Sequence, residues 1–331
     1  MIRPISFDLN EQTMASNAFQ KQKRDESKKK IRAKALKEFD AFVKSLKKVG
    51  VNVIVINDTP LPFTPDSIFP NNWVSFHNDA TVVLYPMQAP NRRQERRNDI
   101  IELLQTQYNF KVKYAIDMSI NNEPFDRFLE GTGSMVLDRA HKKTYACISP
   151  RTHPKTLADW CDWSEYTPIV FTAVDQQQQQ IYHTNVLMCI GDTFAVICLS
   201  AIPNEQERLA VTMNLQNDGH EIIDISYEQM NCFAGNMLQV CNQANEKVLV
   251  MSKAAHNSLN ENQLQQLEKH NDHLVLGDIR TIEKYGGGST RCMMAEVFLP
   301  LSETEKKKHN YLDVGMFSLD KAQKTLCNNA L

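Results

Sequence analysis

A register of about fifty residues runs through this 331-residue chain, and it constrains the fold more than any single motif. In each period a polar or thiol residue opens an apolar run, a turn leads to a second apolar run, and a helical pattern follows. The opening positions are Asn72, Ser134, Asn185, Asn236 and Cys292, separated by 62, 51, 51 and 56 residues. Partner strands are expected at Thr81 to Tyr85, Thr144 to Ile148, Phe194 to Leu199 and Val248 to Met251. Helices are expected near Arg92 to Tyr108, Pro154 to Trp163, Glu205 to Leu215 and Asn260 to His270. A further strand precedes each hairpin, at Val51 to Ile56, Val112 to Ile116, Ile169 to Ala173, Ile222 to Ile225 and His273 to Leu276. The fifth hairpin, opening at Cys292, has little helical pattern after it. The chain begins with a strand, Ile2 to Phe7, and a long helix near Asn17 to Val49 that serves this last unit. Length alone suggests about two domains. The register instead predicts one α/β domain over residues 1–331, made of five β-β-β-α units closed into a ring.

A closed ring brings equivalent positions to one end of a central channel, so Asn72, Asn185, Asn236 and Cys292 are expected to face one cavity. Cys292 ends the glycine-rich stretch Gly286-Gly287-Gly288-Ser289-Thr290-Arg291. Glycines let backbone approach a ligand closely, and a thiol there is placed to attack one. A nucleophilic thiol needs a base and an orienting carboxylate. His183 lies two residues before Asn185, and Glu130, flanked by Gly131, lies four before Ser134. Cys292, His183 and Glu130 therefore form a coherent nucleophile, acid/base and orienter set contributed by three units. For each residue taken singly, the plainer readings are a core thiol, a loop histidine and a turn carboxylate.

Composition narrows the function classes. The 37 basic and 39 acidic side chains leave a formal charge of −2, so no global field favours nucleic acid or an anionic membrane. The start, Met1-Ile2-Arg3-Pro4, carries no apolar targeting segment, and no apolar run approaches the roughly 18 residues of a membrane span. Eight cysteines, none in a CxxC pair, read as reduced core thiols, which favours the cytoplasm and argues against a zinc knuckle. The lysines of Lys21 to Lys48 fall on a helical period and read as a solvated face.

Taken together, several motifs resemble those of the guanidino-modifying enzymes. They are Asn10-Glu11-Gln12-Thr13, Asn17-Ala18-Phe19-Gln20, Pro65-Asp66-Ser67-Ile68-Phe69-Pro70-Asn71-Asn72-Trp73, Leu129-Glu130-Gly131, His183-Thr184-Asn185 and Gly286 to Cys292. That group shares a fivefold αβ-propeller, the pentein, and includes arginine deiminases, dimethylarginine dimethylaminohydrolases, amidinotransferases and succinylarginine dihydrolases. Within it the chain looks most like bacterial citrulline-utilisation hydrolases. The resemblance implies Cys292 as nucleophile, His183 as general acid/base and Glu130 as its partner, with no cofactor and no metal.

Two departures bear on the substrate. Where the dimethylarginine hydrolases follow the Pro-Asp-x-x-Phe motif with a Glu-Asp pair gripping a guanidinium, this chain has Asn71 and Asn72. Where deiminases and amidinotransferases carry an Asp two residues after the histidine, it has Asn185. Burying a cation without an anionic partner costs several kcal/mol, whereas a neutral urea suits amide donors and acceptors. Asp66, Asn71, Asn72 and Asn185 are therefore expected around a planar ureido group. Succinylarginine dihydrolases also place Asn here and accept a guanidino substrate.

The resemblance further offers Arg92 and Arg151 as forks for an α-carboxylate. Arg92 reads equally as part of an exposed helix start. The expected reaction is citrulline to ornithine, ammonia and carbon dioxide, with arginine deimination or amidinotransfer as the alternative. From another class, a pentein can be a non-catalytic binding module. A small amino-acid substrate is the expected partner, and the sequence leaves a homo-oligomer open.

Overall fold

A computed structural model of the chain describes residues 1–302. Five parallel crossovers organise it. The first joins β1 (Ile2–Arg3) to β2 (Ile56–Asn57) through the helix Lys28–Lys48. The other four belong to three-stranded sheets of one design, in which an antiparallel hairpin leads through a helix to a third strand parallel to the middle one. They are β3 (Val74–Phe76), β4 (Thr81–Leu84) and β5 (Tyr114–Asp117); β6 (Val136–Asp138), β7 (Lys143–Cys147) and β8 (Thr167–Phe171); β9 (Met188–Ile190), β10 (Phe194–Ile197) and β11 (Glu221–Asp224); and β12 (Leu238–Cys241), β13 (Lys247–Ser252) and β14 (His273–Gly277). The crossover helices are Asn98–Thr106, Pro154–Ser164, Glu205–Asn217 and Glu261–Lys269.

This pairing corrects the sequence reading, which gave each third strand to the following hairpin. A strand after a helix can return to the strand before it by a parallel crossover, and the helix then covers the sheet. Burial follows. The middle strands β4 and β10 are buried throughout, as apolar runs covered on both faces must be, whereas β5 is mostly exposed. Adjacent sheets share their cores: Tyr145, Phe171, Leu187, Phe194, Met237 and Met251 belong to one cluster.

The fifth unit differs from expectation in two ways. No hairpin opens at Cys292, where consecutive turns lead only to isolated bridges, Phe76 with Val297 and Phe110 with Leu301. The first helix begins at Lys28, not near Asn17. Asn10 and Asn17 accept the backbone N–H groups of Gln12 and Phe19, turns that compete with helix formation. Ser27 then caps the helix by accepting Lys30 N–H. Its buried residues Ile31, Ala35, Phe39, Phe42 and Leu46 make one face, with lysines on the other. Phe39 and Phe42 join the cluster that holds Tyr285, Met293 and Cys292. Burying each aromatic contributes about 1.5–3 kcal/mol, so this helix also anchors the cysteine-bearing segment.

The five register positions lie in tight turns, four of them just ahead of strands instead of opening them. Asn72 N–H reaches Phe69 O, Ser134 N–H reaches Glu130 O, Asn236 N–H reaches Phe233 O and Cys292 N–H reaches Ser289 O, while Asn185 sits in the single turn Thr184–Leu187. No helix among the described residues is long and apolar enough to cross a membrane.

Candidate active site

Cys292 is buried at the end of the glycine-rich segment, and two asparagine amides from different sheets approach its sulfur. Asn236 Nδ2 lies 3.3 Å from Sγ and Asn185 Nδ2 lies 3.6 Å from it. Asn236 is itself fixed, since its Oδ1 accepts Arg291 N–H at 3.1 Å and its Nδ2 donates to Asn185 O at 2.8 Å.

His183 precedes the turn Thr184–Leu187 and lines the same cavity as Cys292. Its Nε2 is 2.9 Å from Glu130 Oε2. A carboxylate only accepts, so Nε2 carries the proton and Nδ1 keeps its lone pair in the neutral ring. Burial pushes the imidazole down to about 4, against the opposing pull of Glu130, so His183 is neutral at physiological pH. Burial pushes Glu130 up, but Arg151, the His183 hydrogen bond and Arg92 outweigh it and hold the carboxyl well below its usual range. Its other oxygen accepts Gln88 N–H at 3.0 Å. Glu130 is thus locked as an acceptor that orients the ring. The turn after it comes close: a Cβ on Gly133 would stand 2.8 Å from His183 Nδ1 and Cε1 and 2.4 Å from Asn72 Nδ2.

Asp66, Asn71 and Asn72 sit beside this pair, all buried. Asp66 Oδ2 accepts Asn10 Nδ2 at 2.7 Å, and Asn72 Oδ1 accepts Arg92 Nη1 at 2.9 Å. Asp66 Oδ1, Asn71 Oδ1 and Asn72 Nδ2 are buried without any partner. Two acceptors and one donor so left are the expected signature of a polar ligand's place. Burial raises Asp66 above the usual carboxylate range, opposed by Arg92.

The two arginines are occupied by the protein. Arg92 is 2% exposed, which excludes the exposed helix start. Its Nε and Nη2 grip Glu95, three residues on in the same turn, at 3.0 and 2.9 Å, and Asp66 and Glu130 lie 3.8 Å away. Arg151 donates to Ser16 Oγ at 2.7 Å, Thr13 O at 3.2 Å and Glu130 Oε2 at 3.4 Å, with its guanidinium over the Tyr182 ring. Arg92 therefore has no free fork for a substrate carboxylate, and Arg151 has one only if the segment Thr13–Ser16 withdraws.

The sequence reading did not single out this N-terminal segment as a cover. Thr13 and Asn17 line the cavity, and Asn17 Nδ2 donates to Gly287 O at 3.3 Å. Tyr182, also missed, donates its hydroxyl to the same carbonyl at 2.5 Å. Its position next to His183 was the available signal. The cavity is partly open to solvent and has a volume of about 10 Å³, room for a water. A larger cavity of about 270 Å³ lies beside Asp58, Trp73 and Arg97 and is lined by none of the candidate residues. A cluster able to hold a metal ion, Asp138 with His141 and His220, contributes nothing to the cavity around Cys292.

The family model for N,N dimethylarginine dimethylhydrolase, eukaryotic, matches residues 3–299. No curated protein sequence matches the chain. Among solved structures, apo ArgZ, an arginine dihydrolase of the ornithine-ammonia cycle in cyanobacteria, superposes with a TM-score of 0.68 at 16% identity, covering 92% of this chain and 41% of that one. AgrE, solved as a mutant bound to L-arginine, gives 0.69 at 18% identity over 92% of this chain and 40% of its own. A dimethylarginine dimethylaminohydrolase adduct with S-methyl-L-thiocitrulline gives 0.57 at 16% identity over 79% and 88%. The chain thus spans about two fifths of the full-length ArgZ and AgrE chains. It belongs to the N,N dimethylarginine dimethylhydrolase family.

Proposed function

We propose that this member of the N,N dimethylarginine dimethylhydrolase family hydrolyses a neutral ureido amino acid, with citrulline as the substrate and ornithine, ammonia and carbon dioxide as products. The observation that carries the reading is the set of amides Asn71, Asn72 and Asn185 where the superfamily pattern leads one to expect carboxylates, with Asn71 Oδ1 and Asn72 Nδ2 buried and unpartnered. The charges beside them nearly cancel. Arg92 and Arg151 face Asp66, Glu95 and Glu130, with Arg92 paired to Glu95 at 2.9 Å and Arg151 to Glu130 at 3.4 Å. A subsite so balanced offers little to a cation and suits a urea.

In this reading Cys292 Sγ, its proton passed to neutral His183, bonds to the ureido carbon. His183 returns that proton to the departing side-chain nitrogen, which leaves as ornithine, and a carbamoyl group remains on sulfur. His183 then takes a proton from water, whose oxygen attacks the carbamoyl carbon. Carbamate leaves, decomposing to ammonia and carbon dioxide, and the thiol is restored. Glu130 keeps the ring in the tautomer that leaves Nδ1 free. Asp66, Asn71, Asn72 and Asn185 hold the planar group. Arg151 is the candidate for the α-carboxylate, exchanging Thr13 and Ser16 for it. Arg92 positions Asn72 instead of holding substrate.

The architecture suited to this convergence is a single domain over residues 1–331, with the four sheets and the β1–β2 crossover standing as five blades around one axis.

A second reading is hydrolysis of arginine, favoured by Asp66 Oδ1, a buried unpartnered carboxylate oxygen suited to a guanidinium N–H. ArgZ is an arginine dihydrolase, and AgrE was solved with L-arginine. Purified protein incubated with citrulline and separately with arginine distinguishes the two. Ornithine from citrulline is the expected result. Inert citrulline, with arginine consumed, would overturn the first reading in favour of the second.

A further inference from the structure

We propose that Asn236 is a positioning residue for the nucleophile: with Asn185, its side-chain amide stabilises the thiolate that forms on Cys292 Sγ as its proton passes to His183. The proposal rests on the reading of Cys292 as the attacking group.

The orientation of the Asn236 amide is set by backbone and not by the sulfur. Its Oδ1 accepts Arg291 N–H at 3.1 Å, and one Nδ2 hydrogen goes to Asn185 O at 2.8 Å. Flipping the amide would set oxygen against that carbonyl and N–H against the Arg291 N–H. The second Nδ2 hydrogen is thereby delivered to Sγ at 3.3 Å, and Asn185 Nδ2 supplies another donor at 3.6 Å. The fixed Asn236 donor, with Asn185 Nδ2 beside it, suits the anion that forms as the sulfur loses its proton, because hydrogen bonds to the charged form favour it.

The charged groups around the sulfur are otherwise engaged. Arg92 is held by Glu95 and faces Asp66; Arg151 faces Glu130; Arg291 donates to Met294 O and lies 3.4 Å from Glu296. Tyr182 gives its hydroxyl to Gly287 O, and burial pushes that phenol up, so it stays neutral. His183 is neutral as well, pushed down by burial to about 4. The sulfur's own hydrogen-bond partners are the two asparagines. A neutral ureido substrate would bring no positive charge to stabilise a thiolate, so in the citrulline reading the protein must supply that stabilisation.

The test follows thiolate ultraviolet absorbance against pH in the full chain without substrate, subtracting Cys292→Ala. Asn236→Ala removes the donor to sulfur without adding a charge; its thiol midpoint should rise by about one pH unit, with alkylation at pH 7 slowed about tenfold. An Ala variant that is folded and titrates like the parent overturns the proposal. Should Asn236→Ala fail to fold, Asn236→Ser, whose side chain is too short to reach the sulfur, decides by the same comparison, an unshifted midpoint overturning the proposal. No turnover is measured, so failure of the citrulline reading would leave this result intact.

Discussion

Substituting Gly133 by Ala separates the geometric account of the site from a merely structural one. Gly133 lies in the helical turn Gly131–Ser134 and is not among the glycines with positive φ, so its backbone accepts any residue. Had its surroundings been empty, Ala would stabilise the fold by about 0.4–1 kcal/mol by restricting the unfolded chain. The new Cβ instead meets Asn72 Nδ2 at 2.4 Å and the His183 ring at 2.8 Å, where ordinary contact begins at 3.4 Å. Asn72 must retreat by about 1 Å and the imidazole by about half that. Asn72 is tied to Arg92, and His183 to Glu130, so neither moves alone. Misplacing a catalytic group by about 1 Å costs on the order of 10²-fold in kcat, or about 2.7 kcal/mol of barrier. Overpacking should also lower stability by about 1–3 kcal/mol. Steady-state kinetics with ornithine readout, beside a thermal melt, measure both. A Gly133→Ala enzyme with kcat within twofold of the parent and a raised Tm would refute the placement of His183 and Asn72 around this glycine.

Other consequences are as direct. Gly131 has φ +48°, and a Cβ there would lie 2.3 Å from Asn71 O, a backbone atom that cannot yield, so Gly131→Ala should destabilise far more than Gly133→Ala in urea unfolding. Native His183 titrates near 4 against about 6.5 when unfolded, so its contribution to stability is complete above pH 6.5 and falls as pH drops toward 4. About 3 kcal/mol is lost across that window, and a His183→Gln variant should lack this portion of the pH dependence. In turnover, the acid limb of kcat/KM should have its midpoint near pH 4 where His183 is the base; a midpoint near 6.5 would contradict a buried neutral ring. Arg92→Ala leaves Glu95 and Asp66 buried without their cation and should cost about 3–5 kcal/mol of stability. A raised KM with unchanged stability would instead restore Arg92 as a substrate ligand.

Much of the sheet architecture was legible because a period of apolar runs reports burial directly. The middle strands read as continuous apolar segments and are the buried ones. Pairing direction was not legible: Val112 to Ile116 lies between two hairpins, and its pattern is the same whichever it joins. Only the helix between β4 and β5 decides, by returning the chain parallel to β4. The failed hairpin after Cys292 has a related cause. Met293 and Met294 are apolar and buried, but successive turns from Ser289 to Met294 use the N–H groups a strand would have offered. Likewise the cover from Asn10 to Gln20 resembles a helix start in composition, while its asparagine turns and the pull of Arg151, 135 residues from Ser16, are not visible in a local pattern.

The register positions show how one geometry carries different chemistry. All five are buried and sit in turns, yet Ser134 spends its hydroxyl on Glu130 N–H and Arg151 O, serving the loops that carry the orienting carboxylate and Arg151. Asn72 gives its oxygen to Arg92 and keeps its Nδ2 unpartnered. Asn185 and Asn236 turn to the sulfur. The repeat thus specifies where a side chain stands, and the local donors and acceptors decide what it does there. That is why Cys292, His183 and Glu130 could be proposed from position and residue type, whereas the part played by Asn236 required knowing which way its amide is held.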